Sequence, residues 1–314
     1  MLTVETDPRH RIAVRVPITD RLTTHVPTFS GGEVRRPGRC RSVRNRVVRV
    51  ALSGIASPVV TKEAEDDVAD GWFPESVAVD YDAPGGANAP TVVEPAVQVL
   101  ADLANGGPVL EFAVGTGRIA APLAARGLQV RGIELSRAMA TRILDKPAGD
   151  AVEVTIGDMT STRVAGEFSL VYLVFNTISN VTTQDEQVAV FCNAAAHLLP
   201  GGLFLIEVGL PDLRRLPPGQ DTVPFTVDPD HEGGGYVGFD QYDVVTQQFT
   251  SNHVTVSADG SGRFRRIPFR YAWPAEMDLM ARIAGLQLKH RWSDWDRSCF
   301  TQDSIKHVSV WARP

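Results

Sequence analysis

The stretch VLEFAVGTGRIA, from Val109 to Ala120, constrains this chain more than any other. Val109 and Leu110 open a short apolar run that reads as a buried parallel strand, and Glu111 sets an acid at its carboxyl end. Gly115 and Gly117 follow with only Thr116 between them, and then comes the helix-like IAAPLAARG. Glycine lets the main chain approach a ligand closely, while a helix start offers unpaired N–H groups. Strand, glycine turn and helix in that order predict an α/β, Rossmann-like doubly wound sheet with its ligand beyond the strand ends.

The neighbouring segments continue the alternation. Val93, Val97, Leu100, Leu103 and Ala104 form a helical stripe closed by Gly106-Gly107. LQVRGIEL is a second strand, ending in Glu134-Leu135 about twenty residues beyond Gly117, and Ser136 is placed to cap the helix after it. VEVTIGDM is a third, with Asp158-Met159 at its end. FSLVYLVFNTISNV is a fourth strand with an exit loop carrying Phe175 and Asn176. QDEQVAVFCNAAAHLL reads as a helix ended by Pro200-Gly201-Gly202, and GGLFLIEVGLP as a fifth strand.

Residues 211–272 break the pattern. YVGFDQYDVV, QQFTSNHVTVSA and GRFRRIPFRYAW read as three period-two strands separated by turns, forming a small inserted antiparallel sheet. AEMDLMARIAGL returns to helix, with Met277 and Met280 as core filler, and LQLKHRW with HVSVWARP forms a terminal hairpin.

Two ligand classes share the glycine geometry. Gly115, Gly117 and Ala120 satisfy the G-x-G-x-x-G/A spacing of nicotinamide folds. Glu111, four residues before Gly115, would repel a pyrophosphate, yet it suits a cation with an amino-acid tail. This acid-x-x-x-Gly-x-Gly pattern, the three later strand ends and the L-x-PGG-strand element resemble class I S-adenosylmethionine (SAM) methyltransferases over Glu94 to Leu210. Ala113 stands where that family usually has a glycine. The insert resembles the auxiliary sheet of small-molecule methyltransferases, including those that N-methylate amino sugars of antibiotics.

The resemblance implies a seven-stranded sheet with a terminal antiparallel hairpin, SAM as cofactor and a methyl acceptor that is a small molecule. It assigns Glu111, Ala113, Gly115, Thr116 and Gly117 to the methionine end. Glu134 and Leu135 fall to the ribose, Asp158 and Met159 to the adenine, and Phe175 to the region beside the methyl. Tyr81, in the segment expected to fold over the cofactor with Trp72 and Phe73, and Asn176 are candidates near the methyl. Methyl transfer from a sulfonium needs alignment and no metal, and a hydroxyl acceptor adds a base, for which His231 and His253 are the candidates. Tyr81, Asn176, His231 and His253 are thus the expected catalytic residues, whether oxygen or nitrogen receives the methyl.

Other classes are disfavoured. The seven histidines show no HExxH-type spacing, no G-x-S-x-G occurs, and no tyrosine has a lysine four residues later. An NAD(P)-dependent oxidoreductase is the alternative enzyme. A non-catalytic SAM-fold protein that binds nucleic acid through a basic arm is the alternative from another class.

That arm is residues 1–62, with 12 Lys and Arg against four acids, which leaves the remainder at −14 within a net charge of −6. An acidic body disfavours a nucleic-acid substrate. The arm shows no clean period, and the reading is a disordered extension. The expected organisation is that extension, a SAM-binding core at 63–210, the insert at 211–272 on the acceptor side, and 273–314 completing the core. Cys40, Cys192 and Cys299 have no pairing or metal spacing, and no apolar run approaches the roughly 18 residues of a membrane span. Together these point to a cytoplasmic protein; its oligomeric state is left open.

Overall fold

The computed structural model describes residues 4–6, 12–14, 73–79, 81–82, 89–229 and 233–314. The chain divides into Met1–Ile55 and Ala56–Pro314. In the first unit, strands β1 (Val4–Thr6) and β2 (Ile12–Val14) pair antiparallel. The expectation for the rest of residues 1–62 lies outside the described residues, as do Trp72 and His231.

The second unit opens with the single-turn helix α1 (Glu75–Ala78) and then α2 (Pro90–Ala104). Pro90 suits the first turn of α2, where its missing N–H costs nothing. The helix ends on a left-handed Asn105, one residue before the glycine pair expected to stop it. Next come β3 (Val109–Phe112), α3 (Ala120–Ala125), β4 (Val130–Glu134), α4 (Arg137–Thr141), β5 (Val152–Ile156), β6 (Phe168–Leu173), α5 (Gln184–His197) and β7 (Leu198–Gly209). The four-stranded sheet is β8 (Thr222–Pro229), β9 (Gly235–Asp243), β10 (Gln248–Val256) and β11 (Gly262–Arg270). Helix α6 (Pro274–Ile283) and strands β12 (Gln287–Trp292) and β13 (Lys306–Ala312) close the chain.

The main sheet has the order β12-β13-β7-β6-β3-β4-β5. Strands β5, β4, β3, β6 and β7 run parallel, and β13 and β12 add antiparallel pairs. After β3 the chain builds outward to β4 and β5, then crosses to lay β6 on the other side of β3. The carboxyl ends of β3 and β6 therefore flank the reversal, where a doubly wound sheet opens a crevice.

Successive side chains on each central strand serve opposite layers. Val109 on β3 and Leu170 and Tyr172 on β6 pack with α2 and α3. Leu110, Phe112, Val171 and Leu173 pack with α5, α6 and Trp311, where Met277 and Met280 are buried.

Two details differ from the sequence reading. Strand β7 starts at Leu198, so Pro200-Gly201-Gly202 lies within it; the Gly201 N–H donates to the Arg313 carbonyl and Arg313 N–H to that of Gly202. The returning carboxyl terminus therefore supplies the partners that extend the strand. The inserted sheet has four strands where three were expected. The addition, β8, contains Pro224 and Pro229 and pairs only with β9, with an irregularity between Pro224 and Thr226. Proline cannot donate to a ladder, which confines such a strand to a sheet edge and hides its period.

A buried hub joins this sheet to the core. The Gln187 amide donates to the carbonyls of Ile178, Val181 and Arg270, and its Oε1 accepts from Arg270 at 2.6 Å. Arg270 also bonds Glu276 Oε1 at 2.7 Å. Among the described residues no helix is long and apolar enough to cross a membrane.

Candidate active site

The glycine turn after β3 runs through left-handed backbone at Ala113 (φ 51°), Gly115 (58°) and Gly117 (77°). Gly115 and Gly117 take this conformation without side-chain strain; Ala113 does not, and such strain persists only where surroundings enforce it. A Cβ on Gly117 would lie 3.0 Å from Ile143 Cγ1, so that glycine also allows close packing.

Glu134, at the end of β4, ties the turn to the next helix. Its Oε2 accepts from the Gly115 N–H at 2.8 Å and its Oε1 from the Ser136 N–H at 2.8 Å. Ser136 caps α4 by accepting from the Met139 N–H, while its hydroxyl donates to the Phe73 carbonyl. Asp82 accepts from the Thr116 hydroxyl at 2.8 Å and pairs with Lys146. The segment carrying Phe73, Tyr81 and Asp82 is thereby held over the turn.

A cavity of about 240 Å³ lies beyond the ends of β4 and β5, lined by Phe73, Ala113, Glu134, Leu135, Asp158, Met159 and Asn180 among others. Asp158 Oδ1 accepts from the Thr160 N–H, an ordinary turn bond that leaves its second oxygen uncommitted to that turn. The Asn180 amide nitrogen is buried without a partner among the described residues. A smaller recess of about 30 Å³ is bounded by Tyr81, Glu111, Gly115, Thr116, Arg118 and Phe175. The Arg118 guanidinium lies 3.5 Å from the Phe175 ring centroid and 5.7 Å from that of Tyr81. Burial pushes the Glu111 carboxyl up to about 8, against the opposing bond from Tyr172. Burial likewise raises Tyr81.

A third cavity, about 250 Å³, lies between the β6 exit and the inserted sheet, lined by Asn176, Ser179, Gly209, Asp240, Tyr242, Phe249, Ser251, Phe269 and Tyr271 among others. The residues from Phe175 to Asn180 contribute to the walls of all three spaces. Phe175 (φ 57°) and Asn176 (φ 61°) are both left-handed, a strained pair held from β7. Glu207 accepts from the Phe175 N–H at 2.8 Å, and the Asn176 side chain accepts from the Gly209 N–H.

The methyltransferase domain family matches residues 109–202, from β3 into β7. The CcbJ methyltransferase of Streptomyces caelestis is 32% identical in sequence and superposes with a TM-score of 0.69, covering 77% of this chain and 98% of that one.

The chain belongs to the class I S-adenosylmethionine-dependent methyltransferases.

Cypemycin N-terminal methyltransferase from a Streptomyces species is 29% identical to this methyltransferase over 195 residues, 59% of this chain and 74% of that one. A SAM-dependent methyltransferase from Clostridium acetobutylicum shares the fold, with a TM-score of 0.60 at 14% identity over 76% of this chain and 97% of that one. The nicotinamide oxidoreductase alternative is not favoured by these relationships.

The methyltransferase gathers most of the sequence-predicted residues around two adjoining spaces. Glu134, Leu135, Asp158 and Met159 line the larger, Ala113 borders both, and Glu111, Gly115, Thr116, Phe175 and Tyr81 enclose the recess. Gly117 packs on Ile143 behind the turn. Asn176 faces the third cavity. His253 lines none of the three: its Nδ1 pairs with the Tyr236 hydroxyl and its Nε2 lies 3.3 Å from Ser251 Oγ. Sequence reasoning passed over Arg118, Asn180, Glu207 and Asp240. Arg118 directly follows the second glycine and was the most accessible of these to a motif argument.

Proposed function

We propose that this methyltransferase moves the methyl of SAM to a nitrogen or oxygen of a small molecule seated in the cavity beneath the inserted sheet. The observation that carries this reading is the shared wall. The turn Phe175–Asn180 borders both the spaces beside the glycine turn and the aromatic cavity. The insert at 211–272 then shapes the acceptor side, and the core at 63–210 with 273–314 holds the cofactor. The similarity to a methyltransferase named for an N-terminal target supports nitrogen over oxygen.

The residues present fit SAM. Glu134 accepts a backbone N–H on each oxygen, and a carboxylate of this kind can also accept from the ribose hydroxyls. Asp158 can accept from an exocyclic amine, Asn180 brings an unpartnered amide to the same cavity, and Met159 and Leu135 give apolar faces for a base. Arg118 supplies a cation for a carboxylate, and Glu111 an acid for an ammonium, and both line the recess.

SAM supplies an electrophilic methyl on a sulfur that leaves as a neutral thioether. Holding the two reactants in line provides most of the rate, since oriented encounter removes much of the entropic barrier. The strained Phe175-Asn176 pair, fixed by Glu207, sets that alignment. Tyr81 packs edge-on to Phe73 at 5.8 Å and closes the recess from above. In this reading His253 is a structural group of the insert, and His231 lies outside the described residues.

Incubation with methyl-labelled SAM and a small-metabolite extract tests the proposal. Label is expected in a low-molecular-weight product, with Phe269→Ser raising the acceptor KM while SAM affinity holds. Label found only in protein or nucleic acid would contradict it.

A further inference from the structure

The inner face of the inserted sheet carries a pattern that a generic acceptor site does not need. Tyr242, Phe249 and Phe269 occupy one register row across β9, β10 and β11. The Phe249 ring stacks between the other two, at 5.1 Å and 23° from Tyr242 and 4.9 Å and 14° from Phe269. Tyr271 meets Tyr242 edge-on at 6.1 Å. One step along the same face, Asp240 stands opposite Ser251.

Asp240 is the unusual member of this wall. Its Oδ1 is buried and has no hydrogen-bond partner among the described residues, although Ser251 bonds the carboxylate. Burial raises the Asp240 carboxyl, and the Asp212 carboxylate nearby adds to that. No Lys, Arg or His is among the cavity's described lining residues. A buried carboxylate oxygen left without a donor costs free energy until a ligand satisfies it. A hydroxyl could donate one bond, but an ammonium also uses the negative faces of the rings.

We propose that the cavity recognises its acceptor as an amine cation, held by Asp240 beside the rings of Tyr242 and Tyr271. This rests on the reading of the cavity as the acceptor site. It narrows the acceptor to a small molecule bearing a basic nitrogen, which passes its proton to the Asp240 carboxylate before the freed lone pair attacks the SAM methyl and the neutral thioether leaves.

The test uses the full chain loaded with S-adenosylhomocysteine. It is titrated by calorimetry at low salt with choline and with 3,3-dimethylbutan-1-ol, the uncharged carbon isostere. Choline is expected to bind about tenfold or more tightly than the alcohol, the size of effect that a desolvated cation over aromatic rings provides. Asp240→Asn should bring the two within about threefold while SAM affinity is unchanged. Equal binding of the two probes by the native chain, or no choline binding at all, overturns the proposal without relying on any variant. A choline preference that survives Asp240→Asn overturns the part given to the carboxylate. Failure of the native chain to bind SAM would instead refute the cofactor site, a separate reading with a separate titration.

Discussion

The Tyr172 hydroxyl donates to Glu111 Oε2 at 2.8 Å, and the two residues stand in register on adjacent parallel strands. The pair lies on the α2/α3 side of the sheet, directly beneath the glycine turn. Glu111 is 3% exposed and Tyr172 fully buried, so the carboxyl is held at about 8 and the phenol well above its ordinary value, both mainly by burial. The acid that distinguishes this turn from a pyrophosphate site is therefore protonated at neutral pH while no cation is bound.

That protonation has a consequence for stability. An acid whose folded-state pKa exceeds its unfolded value binds its proton more tightly in the native chain. Its contribution is present at low pH and is lost as pH rises from 4.5 towards about 8. His307 acts oppositely: burial lowers it to about 3, so stability falls as pH drops below 6.5. Between 4.5 and 6.5 the two slopes oppose each other. From 6.5 to 8, Glu111 should cost the ligand-free protein about 2 kcal/mol. Urea denaturation across this range should show the decline, and Glu111→Gln should flatten much of it. An unchanged alkaline limb in Glu111→Gln would count against a protonated Glu111.

Glu134→Ala removes the acceptor for the Gly115 N–H together with the groups proposed to face the ribose. SAM affinity should fall by about 1.5–3 kcal/mol, the range of hydrogen bonds to charged groups. Glu134→Gln should lose less, because it keeps one acceptor oxygen. Titration of both variants decides this, and equal affinity in native and Ala forms would remove Glu134 from the site.

Arg270→Ala breaks a pair that is 6% and 15% exposed at its two side chains and strips Gln187 of its Oε1 donor. Loss of one partner of a buried pair costs about 3–5 kcal/mol. Chemical denaturation should show a drop of that size. A change below about 1 kcal/mol would mean that the insert is anchored elsewhere.

His253→Ala should leave methyl transfer within about threefold of native once an acceptor is known, because the imidazole bonds Tyr236 and Ser251 within the insert. A loss of about 10²-fold with an altered acidic limb of the pH–rate profile would restore it as a general base.

The main sheet was legible because its central strands β3, β4, β6 and β7 are largely buried and read as apolar runs. Glu111, Glu134 and Asp158 announced themselves as charges at strand ends. Strand β8 did not, since its prolines hide the alternation and only an edge position tolerates them. Glu207 was illegible for another reason. It sits inside the apolar run LFLIEVG, and only the parallel pairing of β6 with β7 brings its carboxylate to the Phe175 N–H. The Asp240 recess likewise depends on the sheet folding onto the β6 exit, a long-range contact that no local spacing encodes.

Calorimetric titration of the full chain with SAM and, separately, with NADPH tests the central claim most directly. The account predicts saturable binding of SAM at one site per chain and no binding of NADPH. Binding of NADPH without SAM would contradict it.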